Sequence, residues 1–437
     1  MKRSLLILLS LGMLLAFSAS VFAADVKFSG SYFVAGMYQD DTTFIKGEEG
    51  YPSTAFYYQR LRVRADVLVS PGLKLVTRFD AMERIWGGAR SNPTDLTSLI
   101  GDIDSAGSRA ENQNIAFDWV YIEYASRLGV FTVGYQEDMA WGTKFADWSR
   151  PAGKIAWSYT TGGLTLMADV AKILDLSSSS VIGTAPFNDG DIDKYSVAAK
   201  YAWNKGEAGL KFAYLRSAAL RTPEDFTTNL YAVVPYAKAK VGPIALEAEV
   251  DYYWGNIVHG DSFGTKFRLN SLGVYVDALA DLGKFYAGGT FAYLSGDGNI
   301  LDDKLKLMVA GKDWMPCLLL FNFERTYWAG PIDGNIPDFG IMYNAWFYQL
   351  RGGVRPVADL DLGISLAYAN ADKKLFPGMK KDYGWEMDVT ANYKITNNLS
   401  YMLGVGYLWT GKYWRGDETD LDVKNNYLVI NKLTLTF

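Results

Sequence analysis

The feature that most constrains this chain is an alternation of apolar and polar residues over segments of roughly ten residues. From Leu399 to Trp409 the odd positions are apolar or aromatic, while the even positions include Ser400 and two glycines. The segments 360–369 and 383–393 show the same period. Successive side chains of a strand point to opposite faces, so each segment predicts a strand with one apolar and one polar face.

The length of these apolar faces separates a soluble β-sandwich from a barrel that spans a membrane. Strands of soluble proteins usually have about 5 or 6 residues, whereas a tilted strand needs about ten to cross a bilayer. Aromatic residues such as Tyr401 and Trp409 stand near the ends of the apolar faces, where interfacial girdles belong. A mean hydropathy near zero without a long apolar segment excludes a helical membrane protein.

Short and long connections alternate along the chain, as they do in outer-membrane barrels. Eight short connections rich in Gly, Asn and Pro predict tight turns: 70–72, 126–129, 161–163, 204–207, 240–243, 281–284, 357–361 and 396–398. With both termini in the periplasm, these turns join nine hairpins. The expected fold class is all-β, a transmembrane antiparallel up-and-down β-barrel of about 18 strands, within a range of roughly 16 to 20.

Nine longer segments are then expected on the outer side: 39–54, 86–113, 138–153, 174–192, 220–228, 257–266, 296–340, 372–382 and 411–424. The segment 296–340 has a second interpretation, because Cys317 to Tyr327 could be a strand. A further hairpin there would give about 20 strands. We expect a loop, since Asp302 to Trp314 lacks clean alternation.

The segment 1–23 has the layout of a Sec signal peptide. Two basic residues precede an uncharged run from Leu5 to Phe17, and Val21-Phe22-Ala23 offers small residues around a cleavage site. The run is shorter than the roughly 20 residues of a spanning helix. We therefore expect removal of this segment, export through the Sec pathway to the cell outer membrane, and one barrel domain over 24–437.

Composition excludes several kinds of partner and site. The chain has 43 basic and 48 acidic residues, a net charge of −5, which argues against a nucleic-acid partner. The one cysteine, Cys317, cannot form an internal disulfide, and the one histidine, His259, rules out a site of several histidines. No haem-attachment motif occurs. We expect no cofactor, no metal, no catalytic residue and no enzyme activity, with Asp302-Asp303 and Asp417-Glu418 as solvated loop acids.

The last predicted strand ends the chain with an aromatic residue. Alternate residues up to the terminal Phe437 are apolar or aromatic, apart from Asn431. Here the sequence resembles outer-membrane barrel families, in which such a terminal strand is recognised by the barrel-insertion machinery. The segments Arg60–Arg64, Thr77–Asp80 and Trp141–Phe145 are similar to those of porin-type and alginate-export-like barrels. The resemblance implies a barrel embedded in outer-membrane lipid.

The main polar pattern lies on the second predicted strand. Arg60, Arg62 and Arg64 share one face, opposite apolar residues that must meet lipid. The third predicted strand adds further charges to the lumen: Arg78, Asp80 and Arg84. A turn at 70–72 would place Arg62 beside Asp80, and a one-residue slip would put the arginines into hydrocarbon.

An acidic row lies on the predicted strand after Pro243. Glu247, Glu249 and Asp251 share its lumen face. By our count this is strand eleven, half a circumference from strand two in an 18-strand barrel. We expect the two rows to line the pore and to create a field across it. The alternative is that these charges only solvate a water-filled lumen.

The third outer loop combines acidic and aromatic residues: Glu137, Asp138, Trp141, Asp147 and Trp148. In porins the corresponding loop often folds into the lumen. These residues are therefore candidates for a constriction, with an exposed loop as the alternative.

The porin resemblance implies a channel for passive or mildly selective diffusion of small hydrophilic solutes or ions. One alternative is an export or conduit barrel that works with a partner. It would secrete a polysaccharide or surround a periplasmic multihaem cytochrome whose haem belongs to other chains. Another alternative is a structural or adhesive barrel with a plugged lumen. The sequence identifies neither the solute nor whether the protein assembles into a homo-oligomer.

Overall fold

The computed structural model describes residues 25–87, 115–175, 190–219, 226–259, 266–299, 302–306 and 308–437. Within them, 18 long antiparallel strands follow one another around a barrel. They are β1 (Asp25–Gln39), β2 (Thr54–Ser70), β3 (Leu73–Ile85), β4 (Ile115–Ser126), β5 (Gly129–Asp138), β6 (Arg150–Thr161), β7 (Leu164–Leu174), β8 (Ile192–Trp203), β9 (Gly206–Ser217), β10 (Phe226–Val241), β11 (Ile244–His259), β12 (Lys266–Asp281), β13 (Phe285–Leu294), β14 (Ala345–Val357), β15 (Leu360–Ala371), β16 (Asp382–Lys394), β17 (Leu399–Thr410) and β18 (Asn426–Thr436).

The barrel closes between its first and last strands. Ser31 of β1 lies opposite Thr436 of β18, and Gly30 and Phe437 exchange two backbone hydrogen bonds of 2.8 and 3.0 Å. Each of the 18 described strands therefore has two antiparallel neighbours, so the backbone groups of the wall are paired within the sheet. The predicted fold class and strand number are confirmed. The predicted signal segment 1–23 lies outside the described residues.

The eight predicted tight turns all connect neighbouring strands. At the first turn, β2 ends at Ser70 and β3 begins at Leu73, and Gly72 has a φ of 82° that favours glycine. The strand ends that the longer connections join, such as Gln39 with Thr54 and Asp138 with Arg150, lie at the opposite end of the barrel. Three strands extend further than expected: β6 begins at Arg150, β10 begins at Phe226 and β11 ends at His259. These residues lie inside the segments predicted as loops 138–153, 220–228 and 257–266.

The long connection 295–344, here called the plug loop, forms no spanning hairpin. Its described part contains a two-residue strand, Lys304–Leu305, that pairs in parallel with β12. It also contains the helix α1 (Phe323–Ala329), which Asn322 caps by accepting a hydrogen bond from the Arg325 N–H. Among the described residues, no helix is both long and apolar enough to cross a bilayer. The loop expected at 296–340 is confirmed.

The outer surface of the barrel carries the apolar faces. Along β16, the side chains of Trp385, Val389 and Tyr393 are 47, 47 and 49% exposed, with aromatic rings towards both ends and an aliphatic residue between them. Tyr401 and Trp409 have the same arrangement on β17. Because such a surface suits hydrocarbon between two interfaces, it agrees with the girdles expected from the sequence.

The buried core lies inside the barrel and consists largely of inward-folded loops. The plug loop packs its buried Leu319, Leu320 and Phe321 against Phe347 and Tyr383 of the wall. This packing occupies the lumen on the side of β14 to β17.

The third outer loop, 139–149, covers the wall formed by β10 to β12. The Trp141 indole N–H donates to the Val234 carbonyl of β10 at 2.9 Å, and the Phe145 ring stacks on Tyr275 of β12 at 5.2 Å. The Gly311 N–H of the plug loop donates to the Phe145 carbonyl at 2.7 Å. The two loops are therefore joined to each other as well as to the wall.

Candidate functional site

The charged face of β2 and β3 has the register that the sequence predicts. Arg62 lies opposite Asp80, and Arg64 lies opposite Arg78. The Arg62 guanidinium donates two hydrogen bonds of 2.7 Å to the two oxygens of Asp80. This paired, bidentate geometry is the strong form of an arginine–carboxylate contact.

The other arginines of this face are also paired with acids. Arg60 lies 3.3 Å from Glu83, and Arg64 lies 2.6 Å from Asp66. We call this alternating set of charges on β2 and β3 the arginine face. The Arg60, Arg62 and Arg64 side chains are 31, 32 and 36% exposed, so solvent screens these pairs.

Arg78 extends the arginine face towards β4. Its guanidinium forms a hydrogen bond of 3.0 Å with Asp118 and lies 3.4 Å from the centre of the Trp119 ring. The ring contact is a cation–π interaction. Asp118 and Glu83 were not among the predicted site residues. Glu83 follows Met82, a non-glycine residue at φ 52°, where the β2–β3 register shifts.

A cavity of about 670 Å³ lies between the arginine face and the plug loop; we call it the charged cavity. It is lined by charges of both signs. Its wall residues include Arg60, Arg62, Arg78, Asp80, Asp118 and Lys432, and its loop residues include Lys312, Asp313 and Glu324. Of the other predicted residues on this side, Glu137 lines the cavity, Arg64 pairs with Asp66 outside it, and Arg84 is buried near the end of β3.

The acidic row of β11 has a different environment from the one expected. Glu249 and Asp251 are 1 and 0% exposed, while Glu247 is partly buried. The Thr143 N–H of the third outer loop donates to Glu249. The two charge rows therefore do not face each other across open water, because the loop lies over the acidic row and uses one of its carboxylates as an acceptor.

The predicted constriction residues divide between the end of β5 and the third outer loop. Glu137 and Asp138 belong to β5, where Asp138 forms ion pairs with Lys194 and Lys154. Trp141 is held against β10, as described above. The Trp148 ring lies 6.0 Å from Phe323 of α1.

Asp147 also stabilises the third outer loop. Its carboxylate accepts a hydrogen bond from the Trp141 N–H at 2.6 Å. Burial raises the pKa of Asp147 to about 6; Asp313 and Glu137 add to the increase, whereas the Trp141 N–H and Lys238 oppose it.

The plug loop is anchored in the same way as the third outer loop. Glu386 of β16 accepts hydrogen bonds from the N–H groups of Leu319 and Leu320, both at 2.7 Å. Asp388 accepts a weaker one from Leu318 at 3.3 Å. Each loop thus lies on a pair of buried wall acids that are separated by one residue. The pair is Glu249 and Asp251 under the third outer loop, and Glu386 and Asp388 under the plug loop.

Cys317, Glu386 and Asp388 also have ligand atoms within 4.8 Å of one another. A thiolate and two carboxylates are a donor set that zinc accepts. Both Glu386 oxygens already accept N–H groups of the plug loop. The geometry therefore identifies Glu386 and Asp388 as anchors of the plug loop.

Two lysines on the lumen side were missed by the sequence interpretation. Lys194 of β8 pairs with Asp138 and Asp169, and Lys211 lies on β9 between the outward-facing Leu210 and Phe212. The alternation rule applied to these two strands would have found both lysines. Asp313 and Glu324 carry no such signal, because only the folding of the plug loop brings them to the cavity.

These features define a closed antiparallel barrel with inward-folded loops and a charged cavity along one wall. No family model matches the sequence. No curated protein matches it either.

Solved structures of bacterial outer-membrane proteins do resemble it. OccK9 (OpdG) of Pseudomonas aeruginosa has a TM-score of 0.52 at 15% identity, over 94% of this chain and 99% of that chain. A BenF-like porin from Pseudomonas fluorescens Pf-5 has 0.52 at 14%, over 94% and 99%. OpdK of P. aeruginosa, in a structure with vanillate, has 0.50 at 13%, over 94% and 99%. The likeness shows that the chain shares the fold of these porin structures.

Proposed function

We propose that this protein is an outer-membrane channel through which small hydrophilic solutes or ions diffuse with mild selectivity. The observation that carries the proposal is the charged cavity of about 670 Å³ inside a closed barrel. Its lining combines arginine, lysine and carboxylate side chains, which suits water and hydrated solutes better than apolar ones.

The charges of the cavity support weak rather than strong selectivity. Arg60 and Arg62 stand next to carboxylates at 3.3 and 2.7 Å, so their fields cancel partly within a few ångströms. A passing ion then meets a lining of both signs instead of a uniform basic wall. The porins that share the fold, and the vanillate named with OpdK, support a small solute as the cargo.

The inward loops argue against the conduit alternative. The plug loop and the third outer loop are joined to each other and anchored to different strands of the wall, β16 and β11. A polysaccharide or a cytochrome inside the barrel would have to displace this buried packing. The alternative of an export or sheath barrel is therefore not favoured.

Conductance in planar lipid bilayers tests the proposal. Purified protein without its first 23 residues should produce discrete current steps in KCl. In liposome swelling, uncharged sugars should enter at rates that fall steeply with size. Protein denatured by heat before reconstitution is the control. Intact, folded barrels that give neither current steps nor swelling would contradict the channel function.

A further inference from the structure

A second cavity, of about 440 Å³, lies beneath the third outer loop against β8 to β12. We call it the apolar cavity, because its walls include Leu215, Leu230 and Met308 together with the rings of Trp141 and Trp148. It shares no lining residue with the charged cavity. Its size and walls suit a small molecule with an apolar body.

A buried carboxylate at this cavity has no hydrogen-bond partner among the described residues. Asp251 lines the cavity and is 0% exposed, and neither of its oxygens accepts a hydrogen bond from the described part of the chain. Asp147 lines the cavity too, with one oxygen committed to the Trp141 N–H. A buried charge is costly unless it is paired or hydrogen-bonded, so this end of the cavity favours a donor, and most of all a cation.

A lysine at the same cavity also lacks an ionic partner. Over the ranges that the structure describes, no carboxylate oxygen lies within 4.0 Å of the Lys211 ammonium, which is 5.7 Å from the centre of the Trp141 ring. Lys194, its neighbour on β8, differs because Asp138 and Asp169 neutralise it. Lys211 is thus available to bind an anionic group.

The two unpaired charges stand at the same level of the wall. Lys211 of β9 lies opposite Val234 of β10, and the adjacent Val233 lies opposite Tyr252, which precedes Asp251 on β11. The two Cα atoms are therefore separated by two strand spacings, about 10 Å. Both side chains point inwards, because Leu210, Phe212 and Val250 beside them face outwards.

We infer that the apolar cavity binds a small zwitterion, with its ammonium at Asp251, its carboxylate at Lys211 and its apolar body between them. Asp147, which also lines the cavity, adds negative charge to the ammonium end. The inference names a class of solute for the channel and rests on the proposed function for its biological role.

Calorimetric titration of the detergent-solubilised protein with three matched probes tests the site: 6-aminohexanoate, hexylamine and hexanoate. Wild type should bind the zwitterion at least about ten-fold more tightly than either singly charged probe. Asp251→Asn should weaken 6-aminohexanoate about ten-fold and leave hexanoate unchanged, whereas Lys211→Gln should weaken 6-aminohexanoate and leave hexylamine unchanged.

Asp361→Asn is the matched control, because Asp361 pairs with Arg355 and Tyr286 away from this cavity; it should bind like wild type. Equal affinities for the three probes, or unchanged zwitterion binding in both cavity variants, would overturn the inference. If a variant fails to fold, the three-probe comparison on wild type still decides. KCl conductance separates the two proposals: current steps without a zwitterion preference would overturn the site alone, and binding without current steps would overturn the channel alone.

Discussion

At the scale of single residues, buried wall carboxylates hold the loops inside the barrel. Glu249 accepts the Thr143 N–H, and Glu386 accepts two N–H groups of the plug loop. Such a hydrogen bond contributes roughly 0.5–1.5 kcal/mol net. Acidic residues on lumen-facing positions thus have two roles that the sequence does not separate: solvating a pore and anchoring a loop.

Gly142 lies where the third outer loop packs against Glu249 and Tyr236. It has a φ of 70°, and a Cβ there would overlap the Glu249 carboxylate and approach Tyr236 to 3.0 Å. Gly142→Ala should release the loop at a cost on the order of 1–3 kcal/mol. We expect noisier single-channel currents, while heat-modifiable gel mobility stays that of a folded barrel.

Gly162 provides the matched control for this prediction. It also has a positive φ, 56°, but lies in the β6–β7 turn with nothing within 4 Å of an added Cβ. Gly162→Ala should leave the current noise unchanged. Equal noise in the two variants would show that contact with Glu249 does not hold the loop.

The raised pKa of Asp147 predicts that docking of the third outer loop depends on pH. Because the pKa of this carboxyl is raised to about 6 in the folded protein, the folded loop binds the proton more tightly than the released loop does. The resulting stabilisation is complete below about pH 4 and is lost as the pH rises through about 6. Tryptophan fluorescence quenching by acrylamide should therefore increase between pH 5 and 7. Asp147→Asn should remove this change, and an identical pH profile in the variant would contradict the assignment.

At the scale of elements, the strands and their register follow from the sequence, because a charged side chain placed in hydrocarbon costs free energy. On β2, a slip of one residue would put Arg60, Arg62 and Arg64 into lipid. The pairing of Arg62 with Asp80 was therefore predictable. The turns were equally predictable, since glycines such as Gly72 supply dihedrals that other residues rarely adopt.

Neighbouring positions on β2 should respond oppositely to a change of charge. Val63→Arg places a charge on the lipid side, which costs roughly 2–4 kcal/mol near the bilayer midplane, so assembly should fail or slow. Arg62→Ala removes a screened ion pair worth about 0–1 kcal/mol, so the barrel should form. Heat-modifiable gel mobility measures both, and the reverse ranking would show that the register of β2 is wrong.

The paths of the loops were not predictable in the same way. The third outer loop was a candidate to fold inwards, but its acceptor on β11 was interpreted as part of an open charged wall. Nothing in the sequence near Leu319 indicates that Glu386 will accept its N–H, because the two residues are far apart in the chain and alternation does not extend into loops. The arginine face was found, but the loop acids Asp313 and Glu324 that line the same cavity were not.

At the scale of the whole molecule, the inward loops lie between cavities of unlike lining, among them the charged cavity and the apolar cavity. The charged cavity lies along β1 to β6 and β18, and the apolar cavity lies beneath the third outer loop along β8 to β12. We propose that hydrated ions pass along the arginine face. Most of the acidic row of β11, which is buried under the third outer loop, would then lie outside their path.

Neutralising the acidic row is therefore the control for the central claim. In the combined Glu247→Gln, Glu249→Gln and Asp251→Asn variant, two of the three changed groups are buried under the third outer loop. Ion selectivity should change little. A shift towards anions as large as the opposite shift in an arginine variant would show that ions pass along β11.

The most direct test of the account is the reversal potential of the Arg60→Ala, Arg62→Ala and Arg64→Ala triple variant across a KCl gradient. Removing these cations leaves Glu83, Asp80 and Asp66 without their partners, so the variant should prefer cations more strongly than wild type. The difference should shrink in concentrated salt, because the Debye length falls from about 10 Å at 0.1 M to about 3 Å at 1 M. An unchanged reversal potential, or a shift towards anions, would mean that the conducting path does not follow the arginine face.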